Sequence, residues 1–136
     1  MGIEEIEERR AKRKEATAKA RAEQYEIDLA EVDKIEAELG DDHVKILHTP
    51  SFAAGLPTLV VVRMPTSALF NRFRQQVRKA GQKTEAIGNA KDMLAAECVV
   101  YPAKDIYDRM REEWPSIHDS VGIEAIQLVE AEGGKN

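Results

Sequence analysis

The chain has 136 residues, a formal net charge of −5, one cysteine and a hydrophobic fraction of 43%. That length fits one ordinary domain with a modest core, and a lone thiol excludes an intramolecular disulfide framework. The longest apolar runs, such as Leu59 to Val62, fall far short of the roughly 20 residues of a membrane span, and the acidic balance disfavours indiscriminate attraction to nucleic acid or anionic lipid. With no charged start and apolar signal segment at the N-terminus, a reducing cytoplasm is the expected setting.

Residues 1–40 read as one long charged helix. Proline is missing, no glycine lies between Ile3 and Leu39, and strong helix formers dominate. Between Glu7 and Gln24 no apolar side chain exceeds alanine, so this stretch is expected to be solvated or partner-dependent and to fray in its first half. From Tyr25 onwards, Tyr25, Leu29, Val32 and Leu39 form a stripe with Ile35 on its flank, which predicts packing on a body until Gly40 ends the helix.

Residues 41–134 read as a hairpin followed by helices. Val44 to Leu47 and the β-branched run Leu59 to Val62 predict two strands, joined by a longer loop carrying Pro50, Gly55 and Pro57. Apolar residues on both faces of the second strand call for cover on both sides, from helices on one and a second chain on the other. The spacing then predicts a helix capped by Thr66 or Ser67, with Leu69, Phe70, Phe73, Val77 and Ala80 on one face, ending at Gly81. A second helix follows from a Thr84 cap, carrying Ile87, Ala90, Leu94 and Cys98. A third has Pro102 in its first turn and Ile106, Tyr107, Met110 and Trp114 on its apolar side. The last opens at Ser116 and Asp119 and carries Ile117, Val121, Ala125 and Leu128. The fold class expected is α+β, mostly α, with a long N-terminal helix, a β-hairpin and a bundle of about four short helices; 135–136 is a tail.

No chemistry-bearing pattern is present: neither a glycine-rich phosphate loop nor HExxH, GxSxG or CxxC occurs. Cys98 lies on an apolar helical stripe with no histidine close in sequence, which reads as a core thiol rather than a nucleophile. His43 and His48 fall on opposite faces of a strand, and His118 beside Asp119 fits a helix first turn, so neither metal nor cofactor is expected and no residue is assigned a catalytic role. Two basic stretches remain, Arg9 to Lys14, bracketed by glutamates, and the face of Arg72, Arg74, Arg78, Lys79 and Lys83. The second is the better nucleic-acid candidate, though a solvated helix face explains it more simply. Leu59, Val60, Val61, Val62, Phe70 and Trp114 are the residues expected at a partner or homo-oligomer interface.

Residues 62–134 carry a further pattern: the opening VRMPTSALFNRFR, then Met93, Leu94, Cys98, Val99, Val100 and Pro102, then Glu112, Glu113, Trp114 and Pro115 before the last helix and Gly133 after it. This resembles the tail assembly chaperones of long-tailed bacteriophages; the long charged helix lies outside the resemblance. The likeness implies a non-enzymatic factor of the host cytoplasm that binds the tape measure protein, hands it to the tail tube protein and is absent from the mature virion. Many members of that family are made in two lengths by ribosomal slippage, and Gly133, Gly134 and Lys135 are compatible with a slippery run leading to an extended form that contacts the tail tube protein. Two other classes stay open: a small nucleic-acid-binding regulator using the basic face of residues 66–83, and a structural subunit of a phage particle.

Overall fold

The computed structural model describes residues 2–134; the 135–136 tail, with Lys135 of the slippage motif, lies outside the described residues. Helix α1 (Ile3–Leu39) is followed by a 3-10 turn (Asp41–His43), strands β1 (Val44–His48) and β2 (Leu59–Arg63), helices α2 (Ser67–Ala80) and α3 (Thr84–Cys98), a strand β3 (Val99–Tyr101), and helices α4 (Lys104–Glu113) and α5 (Ile117–Gly134). The molecule is α+β, mostly helical, with the long N-terminal helix and the hairpin that the sequence predicts.

The third strand was not foreseen. Antiparallel pairing places Val61 opposite Tyr101 and Val62 opposite Val99, with a bulge between them, so β2 becomes the centre of a three-stranded sheet. Three residues directly after a helix carry no alternation to read, whereas their partner strand supplies the pairing. This displaces Pro102 from the first turn of α4: it sits buried between Tyr101 and the helix, whose N-cap is Ala103. A residue before proline favours extended backbone, and β3 uses that preference. Helix α3 likewise starts at Thr84 itself, with Lys83 as N-cap. The Thr66 cap is formed, its hydroxyl accepting the Leu69 amide at 3.2 Å.

The sheet divides the core into two layers. On one side Leu59, Val61 and Val44 meet Val32 of α1, with Ile35 and Leu39 beside it. On the other, Val60 and Val62 meet Phe73, Leu94, Cys98, Met110, Trp114 and Val121 from the four shorter helices. Leu59, Val60, Val61 and Val62 are each 0% exposed. The cover that the apolar run demands therefore comes from within one chain, α1 supplying what a second chain was expected to supply.

Helix α1 runs unbroken from Ile3 to Leu39, the single long helix that the sequence predicts. Its 37 residues make a rod about 55 Å long, whose first half has little beneath it. The alanine content and the i,i+4 pairs Arg9–Glu5 and Lys12–Glu8, at 3.1 and 3.8 Å, support it locally.

Candidate functional site

Two buried ionisable side chains, Asp28 and His118, mark places where the sequence departs from simple hydrophobic pattern. Asp28, 0% exposed, sits in the stripe of α1 that faces the sheet. Its Oδ2 accepts from the Thr58 amide at 2.7 Å and the Thr58 hydroxyl at 2.6 Å, and its Oδ1 from Gln24 Nε2 at 3.0 Å and the Tyr101 hydroxyl at 2.5 Å. One carboxylate thus ties α1 to the start of β2 and the end of β3. Burial, then the bond to Asp28 and its charge, raise the Tyr101 phenol well above the ordinary tyrosine range. The stripe legible in the sequence was Tyr25, Leu29, Val32 and Leu39 with Ile35 on its flank; the structure centres the face on Asp28 instead, leaving Tyr25 37% exposed, because the aspartate finds donors 30 and 73 residues away.

His118 is also buried. Its Nε2 lies 3.0 Å from the Asp92 carbonyl and its Nδ1 2.6 Å from the Tyr107 hydroxyl. A carbonyl only accepts, so Nε2 carries the proton and the neutral Nδ1 receives the phenol O–H. The ring joins α3, α4 and α5 rather than standing solvated at a helix start. Burial, reinforced by the Arg111 charge, lowers its pKa from the usual 6.5. The unfolded chain therefore binds a proton that the folded chain refuses: this contribution to stability is complete above about pH 6.5 and is lost as pH falls below it toward the depressed folded value. Urea midpoints measured at pH 7.5 and 5.0 are expected to fall in the wild type, and to fall by less in His118→Gln, whose overall stability is lower at both.

Cys98 is 0% exposed within the larger core cluster. Burial pushes its thiol up to about 11, against a smaller opposing effect of Arg63. Such a thiol stays protonated at neutral pH and packs as a small hydrophobe. Among the described residues, no group of three or more His, Cys, Asp or Glu side chains is placed to hold a metal ion, and no helix is long and apolar enough to cross a membrane.

Of the residues expected at an interface, only Phe70 reaches the surface. Leu59 to Val62 are core, so the homo-oligomer reading loses the surface on which it rested. Trp114 is 7% exposed and plugs the core beneath the β1–β2 loop, its indole N–H donating to Ser51 Oγ at 2.9 Å. Its place between Pro115 and the end of α4 was legible, but the burying partner lies on a loop far off in sequence. Phe70 is half-buried, 5.8 Å from the Phe73 ring and covered by the Arg74 guanidinium at 4.8 Å. The basic face of α2 is partly committed, since Arg74 stacks on Phe70 and Arg72 lies 3.7 Å from Glu97.

What remains open on that side is a groove between α2 and α3. Phe73, Gln76 and Ala80 line it from α2, and Ala86, Ala90 and Met93 from α3. Met93 stands 50% exposed in the middle, with Gln76 Nε2 3.9 Å from its sulfur. Small residues at Ala86 and Ala90 keep the floor low, and Lys79 and Lys83 form the rim at one end. An apolar trough with a flexible thioether suits the apolar face of a helix of variable sequence. The helical spacing that produces this trough was legible, but Met93 was read only as part of a motif. No protein-family model, curated protein or solved structure matches the chain.

Proposed function

We propose that this protein is a tail assembly chaperone of a long-tailed phage, acting in the host cytoplasm by holding apolar helical segments of the tape measure protein until tail tube protein polymerises around them. The observation that carries this reading is the α2–α3 groove, whose exposed Met93 and alanine floor offer a receptive surface outside the closed core. The motif likeness over residues 62–134 supports it, because Leu69, Arg72 and Phe73 of VRMPTSALFNRFR line one end of that groove's α2 wall and Met93 and Leu94 lie in the other wall. Methionine adapts to many clients at little conformational cost, as a chaperone of a long, repetitive helix requires.

Co-expression with the tape measure protein of the same phage tests the reading. The client is expected to stay soluble and to co-purify with the wild-type chain. Met93→Glu combined with Ala86→Glu is expected to reduce retained client about tenfold while leaving the thermal midpoint nearly unchanged, since neither residue is in the closed core. A client equally insoluble with and without the chain, or equally retained by the double variant, overturns it. Finding the chain in purified virions selects the structural-subunit reading instead.

A further inference from the structure

The sheet-facing stripe of α1 changes chemistry half-way along the helix. Continued N-terminally from Asp28 at spacings of three and four, it carries Arg21, Thr17, Lys14 and Arg10, with Arg13 alongside. There β1 has already ended at His48, and the loop that follows it faces the helix. Helix and loop form the two walls of an open cleft: Arg10, Arg13, Lys14 and Arg21 on one, Pro50 and Phe52 on the other. Its inner end reaches Tyr25 and His48, whose ring centroids lie 6.2 Å apart.

Among the described residues, none of these four cations has a carboxylate within ion-pair distance. The pairs on this part of the helix, Arg9–Glu5 and Lys12–Glu8, use neighbouring cations on other faces. Four exposed positive charges are therefore gathered along about 16 Å of helix, in a chain whose net charge is −5. They repel one another, and among the described residues no carboxylate stands at ion-pair distance from any of the four, the glutamates of the same helix lying farther off. The facing wall is apolar at Phe52, which is half-buried.

We propose that this cleft is a docking site for an acidic amphipathic helix of a partner protein, separate from the α2–α3 groove. Arg10, Arg13 and Lys14 stand on successive turns of α1 and Arg21 two turns further on, so carboxylates at i, i+4 and i+11 of a helix laid beside it meet them in register, with i+7 opposite Thr17. The partner's apolar face then packs on Phe52 and Pro50. A uniform polyanion such as nucleic acid fits less well, because Glu4, Glu7, Glu8 and Glu15 on the same helix repel phosphates that continue past the cationic row. A peptide places its negative charge only where the cations stand.

The test uses the full chain and a fluorescent synthetic helix about five turns long, with glutamates along one face and leucines along another, beside the same peptide with glutamine for glutamate and an oligothymidylate. By anisotropy, the glutamate peptide is expected to bind about tenfold tighter than the glutamine peptide and to weaken several-fold between about 50 and 200 mM salt. Combining Arg10→Gln, Arg13→Gln and Lys14→Gln is expected to lose that tenfold preference, Phe52→Ala to weaken both peptides, and Met93→Glu to leave binding intact. Glutamine keeps helix propensity, and Arg21→Gln alone, expected to lose about threefold, provides a milder variant should the triple one lose helicity by circular dichroism. Equal binding of the two peptides, indifference to the substitutions, or tighter binding of the oligothymidylate through the same residues overturns the proposal.

Discussion

Val60→Asp is expected to leave no cooperatively folded protein. Val60 sits in the middle of the central strand, opposite Leu47 and 0% exposed, facing the cluster of Leu94, Met110, Trp114 and Val121. Losing the valine forfeits about 1.5–3 kcal/mol of burial. The short aspartate side chain points into the layer of shorter helices and has no route to water through it, so it must fold protonated. Forcing a carboxyl to stay neutral at pH 7 costs about 4 kcal/mol or more, from about 1.4 kcal/mol for each unit by which its pKa is raised. Together these approach the roughly 5–15 kcal/mol by which an ordinary domain is stable. Circular dichroism is expected to show residual helix with no sharp thermal transition. A variant that melts cooperatively within a few degrees of the wild type shows that β2 is not the centre of a closed core.

Asp28→Ala is expected to cost about 3–5 kcal/mol, because removing one partner of a buried, hydrogen-bonded charge strands the others. The Thr58 amide and hydroxyl lose their acceptor inside the protein, and the Tyr101 hydroxyl loses the partner that joins β3 to α1. The damage is directional: the contacts of Val60 and Val62 with the shorter helices lie on the opposite side of the sheet and remain. Hydrogen exchange is therefore expected to accelerate most along residues 20–39 and in β3, while α3 and α5 keep their protection. Spectrophotometric titration provides an independent readout, since the Tyr101 phenol is expected to fall part of the way toward the ordinary tyrosine range once the bond to Asp28 and its charge are gone, while burial, the larger cause, still holds it raised. An unchanged titration, or uniform loss of protection, contradicts the assignment of Asp28 as the tie between helix and sheet.

Much of the secondary structure was legible because local chemistry sets it. A run free of proline, with glycine only at its end, made α1; β-branched residues around a Pro- and Gly-rich loop made the hairpin; Thr66 and Gly81 bracketed α2. Burial of Cys98, Leu94 and Val121 followed from helical spacing alone. The sequence by itself therefore determined the order of the helices and the hairpin, most of the helical faces and the need to cover both sides of β2. Which body covers the second side was decided only in three dimensions, because an apolar strand face specifies that it must be covered and not by what; α1 met that need, and the interface expected at Leu59 to Val62 became core. The same holds for β3, whose three residues are a strand only because β2 pairs with them. It holds for Asp28, His118 and Trp114, whose burial is tolerable only with hydrogen-bond partners brought from distant parts of the chain. The α2–α3 groove and the cationic cleft arise likewise from which elements lie side by side, and a hydrophobic or charged residue carries no mark of the neighbour that fails to cover it.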